Sequence, residues 1–266
     1  MTTATPTSAT VSSDIRPPQA GNAHPMNRIW NAARLNLVNR WTVYWIPLMI
    51  LGFIWLVNLA IWWIINASVG GADRTDAMDG TQWSGASFYI FVYMLVIAVQ
   101  SMNMTFAYAL GLSLTRREFY LGSSIAFVLL AFSYGVILTA LSYLEEWTNG
   151  WGLGGHMFTS VYFGSGPAWQ RLFIFGAAML FFAFIGALSG TIFMRWRTNG
   201  LLIAAALTTL LIVGAVALIT MTQSWGLVGE WFVTSGPQGV IAWTLLPTVL
   251  SGFAGYFILS RATPRG

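Results

Sequence analysis

Two adjacent carboxylates and one imidazole are the residues of this chain best suited to acid–base chemistry. Glu145 and Glu146 are neighbours, and His156 follows in the same polar stretch. Such a set could transfer protons to and from a substrate. The other histidine, His24, lies far away near the N-terminus, so the sequence offers no carboxylate–histidine set with the spacing of metal ligands.

Catalysis at these residues is not what the surrounding sequence favours. An enzyme that works inside a membrane needs ionisable groups within its spans, where charged groups are costly and usually functional. The long apolar runs of this chain contain no acidic, basic or histidine residue. We therefore interpret Glu145 and Glu146 as acidic residues that flank the outer end of a helix, and we predict no catalytic residue, no metal site and no enzymatic activity.

Amide side chains inside apolar runs form a second candidate set. Gln100 and Asn103 are spaced to share one face of a helix, and Asn58 lies in an earlier run. Because an amide exposed to lipid is costly, these side chains face either protein or a watery path. Two interpretations stay open: hydrogen bonds between helices, or contact with a substrate that moves along the path.

Composition places these residues in a membrane protein. Only 8% of the 266 residues are charged, 56% are hydrophobic, and the mean hydropathy is +0.67. Soluble domains do not have this composition. Every basic residue is an arginine, so the chain cannot form a phosphate-binding P-loop, which requires a lysine. There is no basic tract to bind nucleic acid, and no cysteine for a disulfide or a thiolate metal site.

Six apolar runs predict six transmembrane helices, because each has the roughly 20 residues that cross about 30 Å of hydrocarbon. Residues 1–25 are rich in Thr, Ser, Ala and Pro and are predicted to be a disordered tail. Residues 26–42 alternate apolar and polar positions with helical spacing, which predicts an interfacial amphipathic helix. The six runs are 43–65, 88–110, 121–144, 172–194, 201–221 and 240–260.

The distribution of arginines predicts the orientation of the spans. The segments before the first run, between the second and third, between the fourth and fifth, and after the sixth carry ten of the 12 arginines. The segments on the other side carry most of the acidic residues. By the positive-inside rule, both termini are cytoplasmic. The predicted fold is thus all-α and polytopic, with one membrane domain over residues 26–266.

A small residue repeats within the fourth run. Gly186 and Gly190 have the Gly-x-x-x-Gly spacing that lets two helix backbones approach closely. The pattern does not say whether the neighbouring helix belongs to this chain or to another.

A short charged segment lies between the second and third runs, over residues 111–122. Apolar and charged residues alternate there at roughly helical spacing, which predicts a short two-faced helix beneath the membrane. Its charged side is available to a soluble partner. The residues that we expect to make this contact are Thr115, Arg116, Arg117, Glu118 and Phe119.

The sequence Ala-Leu-Gly-Leu-Ser-Leu-Thr-Arg-Arg-Glu-Phe-Tyr-Leu-Gly at 109–122 resembles the stretch between spans two and three of type-two ABC exporter permeases. Those proteins are similar in length, have six spans with cytoplasmic ends, and open with an amphipathic elbow helix. The resemblance implies that the segment is a coupling helix, with Thr115 to Phe119 docking on a separate ATPase subunit. One departure is that the longest outer loop here lies between spans three and four.

The resemblance implies the remaining expectations. The chain would be the permease subunit of an ATP-binding cassette exporter, paired with a second copy or a paralogue and surrounded by membrane lipids. It would hold no cofactor itself, since ATP and Mg²⁺ would bind the partner ATPase. Its location would be the cell membrane, of bacterial plasma-membrane type. The alternative is a polytopic scaffold or sensor that transports nothing.

Overall fold

The computed structural model describes residues 25–261, and in this range the chain is helical with no β-strand. The predicted tail, residues 1–25, lies outside the described residues apart from Pro25. Short π-helical turns at Trp41–Trp45, Ser101–Thr105 and Gly150–Gly154 join or follow the main helices. The α-helices are α1 Pro25–Leu37, α2 Ile46–Ser68, α3 Ala72–Gly80, α4 Tyr89–Gln100, α5 Phe106–Gly111, α6 Arg116–Trp147, α7 Ala168–Met221 and α8 Trp225–Arg261.

Five helical stretches within the described residues are long and apolar enough to cross a membrane. The all-helical class and the apolar helices expected of a membrane protein are therefore confirmed. The first stretch joins a π-helical turn to α2, and the second combines α3, α4 and α5 with the turns between them. These stretches are Trp41–Ser68, Asp73–Gly111, Arg116–Trp147, Ala168–Met221 and Trp225–Arg261.

The helix α7 covers two of the six predicted runs. Its 54 residues would be about 81 Å long at 1.5 Å per residue, well over twice the thickness of the hydrocarbon core. The helical geometry is broken at Arg197, where φ is 56° and ψ is −150°. A second break lies in α8 at Gly236, with φ of 60° and ψ of 179°, directly before Pro237. Each break is a kink between two helical segments, because a residue with these backbone angles is not helical.

The amphipathic helix at the start is shorter than the predicted range 26–42. It ends at Leu37, and a separate π-helical turn begins at Trp41. Asn39 lies between them, and its side-chain oxygen accepts a hydrogen bond from the Thr42 amide at 3.3 Å. Asparagine competes well for such end positions because its side chain replaces a missing helical partner. The chain therefore starts a new helix here.

The core lies between α4, α6 and the first part of α7. Met94, Phe127 and Phe175 are almost fully buried in it. Gly186 of α7 faces α4 so closely that an added Cβ would meet the carbonyl oxygen of Leu95 and, at 3.0 Å, the Ala98 side chain. Gly190 makes a similar approach to Met102. The small residues thus pack helices of this chain against each other.

Two apolar segments bury few or none of their residues within the chain. The buried residues of α7 all lie between Arg171 and Thr191, and no residue of 201–221 is buried. In α2 only Pro47, Leu51 and Trp62 are buried. These segments present broad apolar surfaces outside the core.

Candidate functional site

The segment before α6 is held in place by a reciprocal pair of hydrogen bonds. Thr115 is extended, and its side-chain oxygen accepts from the Glu118 amide at 3.3 Å. The Glu118 carboxylate in turn accepts from the Thr115 amide at 2.8 Å. This capping box satisfies amides that the first turn of a helix otherwise leaves unpaired. The preceding turn contains Ser113 with φ of 56°.

The expected short helix beneath the membrane does not form as a separate element. Arg116 begins α6, which continues without interruption for 32 residues to Trp147. Phe119 is completely buried and packs against Phe106 with ring centroids 5.3 Å apart. Residues 116–119 are therefore the first turn of the third predicted span, because the capping box at Thr115 starts the helix there.

Only part of the predicted contact set faces outward. Arg117 and Thr115 are exposed, and Arg116 is half-buried. Glu118 is engaged within the chain, as described above, and Phe119 is buried. Thr115, Arg116 and Arg117 are therefore accessible at the surface of the chain, while Glu118 and Phe119 position this first turn.

A residue outside the predicted set joins this segment to α1. The Arg28 guanidinium donates from Nη2 to the Ser113 carbonyl oxygen at 2.7 Å, and its Nε lies 3.2 Å from Glu118 Oε1. One arginine thus binds the turn and the helix start together. The sequence showed Arg28 only as a polar residue of an amphipathic helix, because its partners are distant along the chain.

The contact between α1 and α6 continues along the two helices. Gly122 lies so close to α1 that an added Cβ would be 2.6 Å from the Ile29 carbonyl oxygen. Ala32 and Ala33 are buried on the facing side. Because backbone approaches backbone here, α1 cannot shift without moving the start of α6.

An amide that the sequence analysis did not single out connects three helical segments. Asn36 of α1 donates to the Ser123 hydroxyl at 3.0 Å and accepts a hydrogen bond from the Ser101 hydroxyl. Ser101 begins the π-helical turn between α4 and α5, and Ser123 belongs to α6. Asn36 lies before the first apolar run, so the hydropathy pattern does not single out its amide.

The three predicted pathway amides are not brought together by direct contacts. Asn58 donates to the Ile54 carbonyl oxygen at 2.9 Å, and Asn103 donates to that of Val99 at 3.0 Å. Each of these bonds joins residues four positions apart, and it leaves the second N–H and the oxygen of each amide available for another partner. Gln100 is exposed at the surface of the chain. The Gln100 amide can therefore form hydrogen bonds with a molecule outside the chain.

The C-terminal end of α6 holds a buried carboxylate. Glu145 is 1% exposed and accepts hydrogen bonds from the Met157, Phe158 and Thr159 amides at 2.9–3.1 Å. The Thr159 hydroxyl at 2.6 Å and the Trp151 indole at 3.2 Å add two more. Together these donors replace water around the charge. The hydrogen bonds of Glu145 therefore hold the loop after α6 against the end of the helix.

The neighbouring carboxylate pairs with an arginine of α7. Glu146 Oε2 lies 2.6 Å from Arg171, whose side chain is 2% exposed. The same guanidinium donates to the Gly166 carbonyl at 2.8 Å and to the Ser142 hydroxyl at 3.2 Å, and stacks over Tyr143. Arg171 thus ties α6 to α7. In the sequence, Arg171 is only one of the two arginines that lie on the predicted outer side.

His156 lies next to this arrangement, as its place in the sequence suggested. Its Nδ1 is 2.9 Å from the Thr159 hydroxyl, which donates to Glu145. The residues described by the structure contain no group of three or more His, Cys, Asp or Glu side chains that could hold a metal ion. The two carboxylates here bond within the chain, Glu145 to several donors of the following loop and Glu146 to Arg171.

Comparison of the chain with models of known protein families, with curated proteins and with solved structures finds no match.

Proposed function

We propose that this chain is the transmembrane permease subunit of an ATP-binding cassette exporter, driven by a separate ATPase subunit. The observation that carries the proposal is the segment 109–122, whose sequence resembles the coupling stretch of type-two ABC exporter permeases. Two features of its geometry support that role. The exposed Arg117 and half-buried Arg116 face outward, and their helix turn is fixed to the rest of the chain on its other side.

The proposed topology has six spans with both termini in the cytoplasm. The break at Arg197 divides α7 between two predicted runs, so that α7 supplies two crossings. Arginines at the break and in the segment 109–122 then share the cytoplasmic side. The proposed location is the cell membrane.

Pairing of two permease subunits would cover the apolar surfaces that lie outside the core of this chain. Residues 201–221 have no buried residue, and α2 buries few of its residues. A second copy or a paralogous permease is the proposed partner for these surfaces. The pathway would run near the subunit boundary, where exposed Gln100 and half-buried Asn58 and Asn103 supply polar contacts.

Mechanically, α6 carries the coupling. The helix has 32 residues and is therefore about 48 Å long, long enough to reach from one membrane surface to the other. A displacement at Arg116 and Arg117 moves α1 as well, because Arg28 and the contact at Gly122 join the two helices. ATP-driven closure of two ATPase subunits would shift these helices and switch the cavity between inward-facing and outward-facing states.

ATP hydrolysis would take place on the partner ATPase subunit. This chain has no lysine for a P-loop, so ATP and Mg²⁺ would bind the ATPase subunit. The permease would contribute binding and conformational change only.

The test is charge reversal in the segment that is expected to meet the ATPase. The double variant Arg116→Glu with Arg117→Glu should lose the P-loop ATPase that is expected to co-purify with the unaltered chain, and transport should fall with it. The matched control reverses two other basic charges, Arg195→Glu with Arg261→Glu, and should keep the association. If the first variant binds the ATPase as well as the unaltered chain does, the proposal is wrong.

A further inference from the structure

A polar cavity of about 440 Å³ lies at the end of α6 opposite the proposed coupling segment. Its wall combines the outer turn of α6, the loop that follows, and the turn after α3. The function proposed above makes no use of it. The residues with side chains suited to binding are Gln82, Glu146, Asn149, His156 and Ser160.

One lining hydroxyl has no partner within the protein. Ser160 is fully buried, and its Oγ forms no hydrogen bond with any residue that the structure describes. A buried hydroxyl left unpaired costs free energy, roughly 1–3 kcal/mol. A bound molecule in the cavity would satisfy it. Of the six buried side-chain atoms without a partner among the described residues, the Ser160 Oγ is the one whose residue lines this cavity.

The hydrogen bonds of the wall fix which nitrogen of His156 is free. The Thr159 hydroxyl has one proton, which it donates to Glu145 at 2.6 Å. Its oxygen must therefore accept from His156 Nδ1, 2.9 Å away. The neutral ring then carries its proton on Nδ1 and keeps a lone pair on Nε2. The imidazole is thus an acceptor towards a ligand.

The charge of the wall is negative. Glu145 has no salt-bridge partner among residues 25–261, and Glu146 is balanced by Arg171. One negative charge therefore remains close to the cavity, together with the carbonyl end of α6, which also favours a cation. The groups of the wall that remain available for hydrogen bonds can all accept one. They are the imidazole Nε2, the Ser160 hydroxyl and the side-chain amides, and the last two can also donate.

We propose that this cavity binds a small organic cation that carries a primary ammonium group. The ammonium donates to His156 Nε2 and Ser160 Oγ, and Glu145 stabilises its charge through Thr159. The ammonium could belong to a soluble amine or to the headgroup of an aminophospholipid. The binding does not depend on an ATPase, so it can be tested separately from the function proposed above.

Calorimetric titration of the purified full-length chain in nanodiscs made only from phosphatidylglycerol tests this site. The probes are n-butylamine, which is protonated at pH 7.5, and n-butanol, its neutral isostere. Saturable binding of the amine and none of the alcohol is expected. Equal binding of both probes, or binding of neither, would overturn the proposal. Nanodiscs that also contain phosphatidylethanolamine should weaken amine binding if a headgroup is the natural occupant, and leave it unchanged if a soluble amine is.

Variants of the wall make the test specific. His156→Asn keeps a donor for Thr159 but lacks Nε2, and should weaken amine binding about tenfold or more, as expected for a lost hydrogen bond to a charged group. Ser160→Ala should weaken it in the same direction. Glu230→Gln removes an exposed acidic residue outside the cavity and should leave the affinity unchanged. Amine binding that survives both wall variants at full strength, or that Glu230→Gln weakens equally, would contradict the assignment.

Discussion

Thr115 decides where α6 begins. Its hydroxyl accepts from the Glu118 amide, and its own amide donates to the Glu118 carboxylate. Without this pair the first turn would lose two hydrogen bonds at the place where the chain must leave an irregular turn. The position of Arg117 thus depends on Thr115, whose side chain bonds only to the first turn of α6 among the described residues.

We predict that Thr115→Val lowers the free energy of unfolding by about 1 kcal/mol, because valine matches the shape but cannot accept the hydrogen bond. Thr115→Ser keeps the acceptor and should remain within a few tenths of a kcal/mol of the original. Equilibrium unfolding in mixed micelles, followed by circular dichroism, gives both values. A loss as large in the serine variant would show that the methyl group, not the cap, is responsible.

At the residue scale, a local hydrogen-bond pattern could be predicted from the sequence more readily than a long-range contact. Thr-x-x-Glu is the signature of a capping box, so the start of α6 was readable in the segment 111–122. The bond from Arg28 to Ser113 was not, since 85 residues separate them and only the fold brings them together. The polar side chains that join helices were missed for a related reason: Asn36 lies outside every apolar run.

The packing of α7 on α4 depends on glycine at one point. Gly186 leaves room for the Leu95 carbonyl oxygen, which any Cβ would meet. Gly176, ten residues earlier in the same helix, has only the Ala131 carbonyl oxygen near its Cβ position, at 4.0 Å. The two positions differ in available space while sharing a helix.

Substituting alanine at each glycine separates packing from helix propensity. Gly186→Ala should destabilise the protein by about 1–3 kcal/mol, because α4 and α7 must move apart. Gly176→Ala should be neutral or slightly stabilising, since alanine favours a helix and nothing is displaced. Thermal unfolding of both variants in the same detergent checks this difference. Equal destabilisation would mean that the close approach at Gly186 carries no special cost.

Helix boundaries were predictable where polar residues end an apolar run, and less so where they only interrupt one. The segment between the fourth and fifth runs contains four polar side chains but no proline, and the non-helical backbone is confined to Arg197. The amphipathic helix ends at Leu37, and beyond it the Asn39 side chain accepts from the Thr42 amide at the start of the next helical turn. Hydropathy alone reports neither event.

For the whole molecule, the proposed topology makes a prediction that uses the absence of cysteine from the chain. Single cysteines at four exposed positions, Ser113, Ser165, Thr198 and Thr222, can be labelled with a membrane-impermeant maleimide. Two crossings by α7 place Ser165 and Thr222 together on the outer side, and Ser113 and Thr198 together on the inner side. If α7 crossed once, Ser165 and Thr222 would be labelled from opposite sides.

The central claim is that the segment before α6 meets a separate ATPase. The most direct measurement is photo-crosslinking in native membranes from a benzophenone attached to Leu112→Cys, an exposed position that leaves Arg116 and Arg117 intact. The captured protein is identified by mass spectrometry, with Ser165→Cys as the control at the other end of α6. We predict capture of an ATPase with a P-loop from position 112 and not from position 165. The absence of any P-loop ATPase at position 112, with crosslinking to lipid or other proteins instead, would contradict the account.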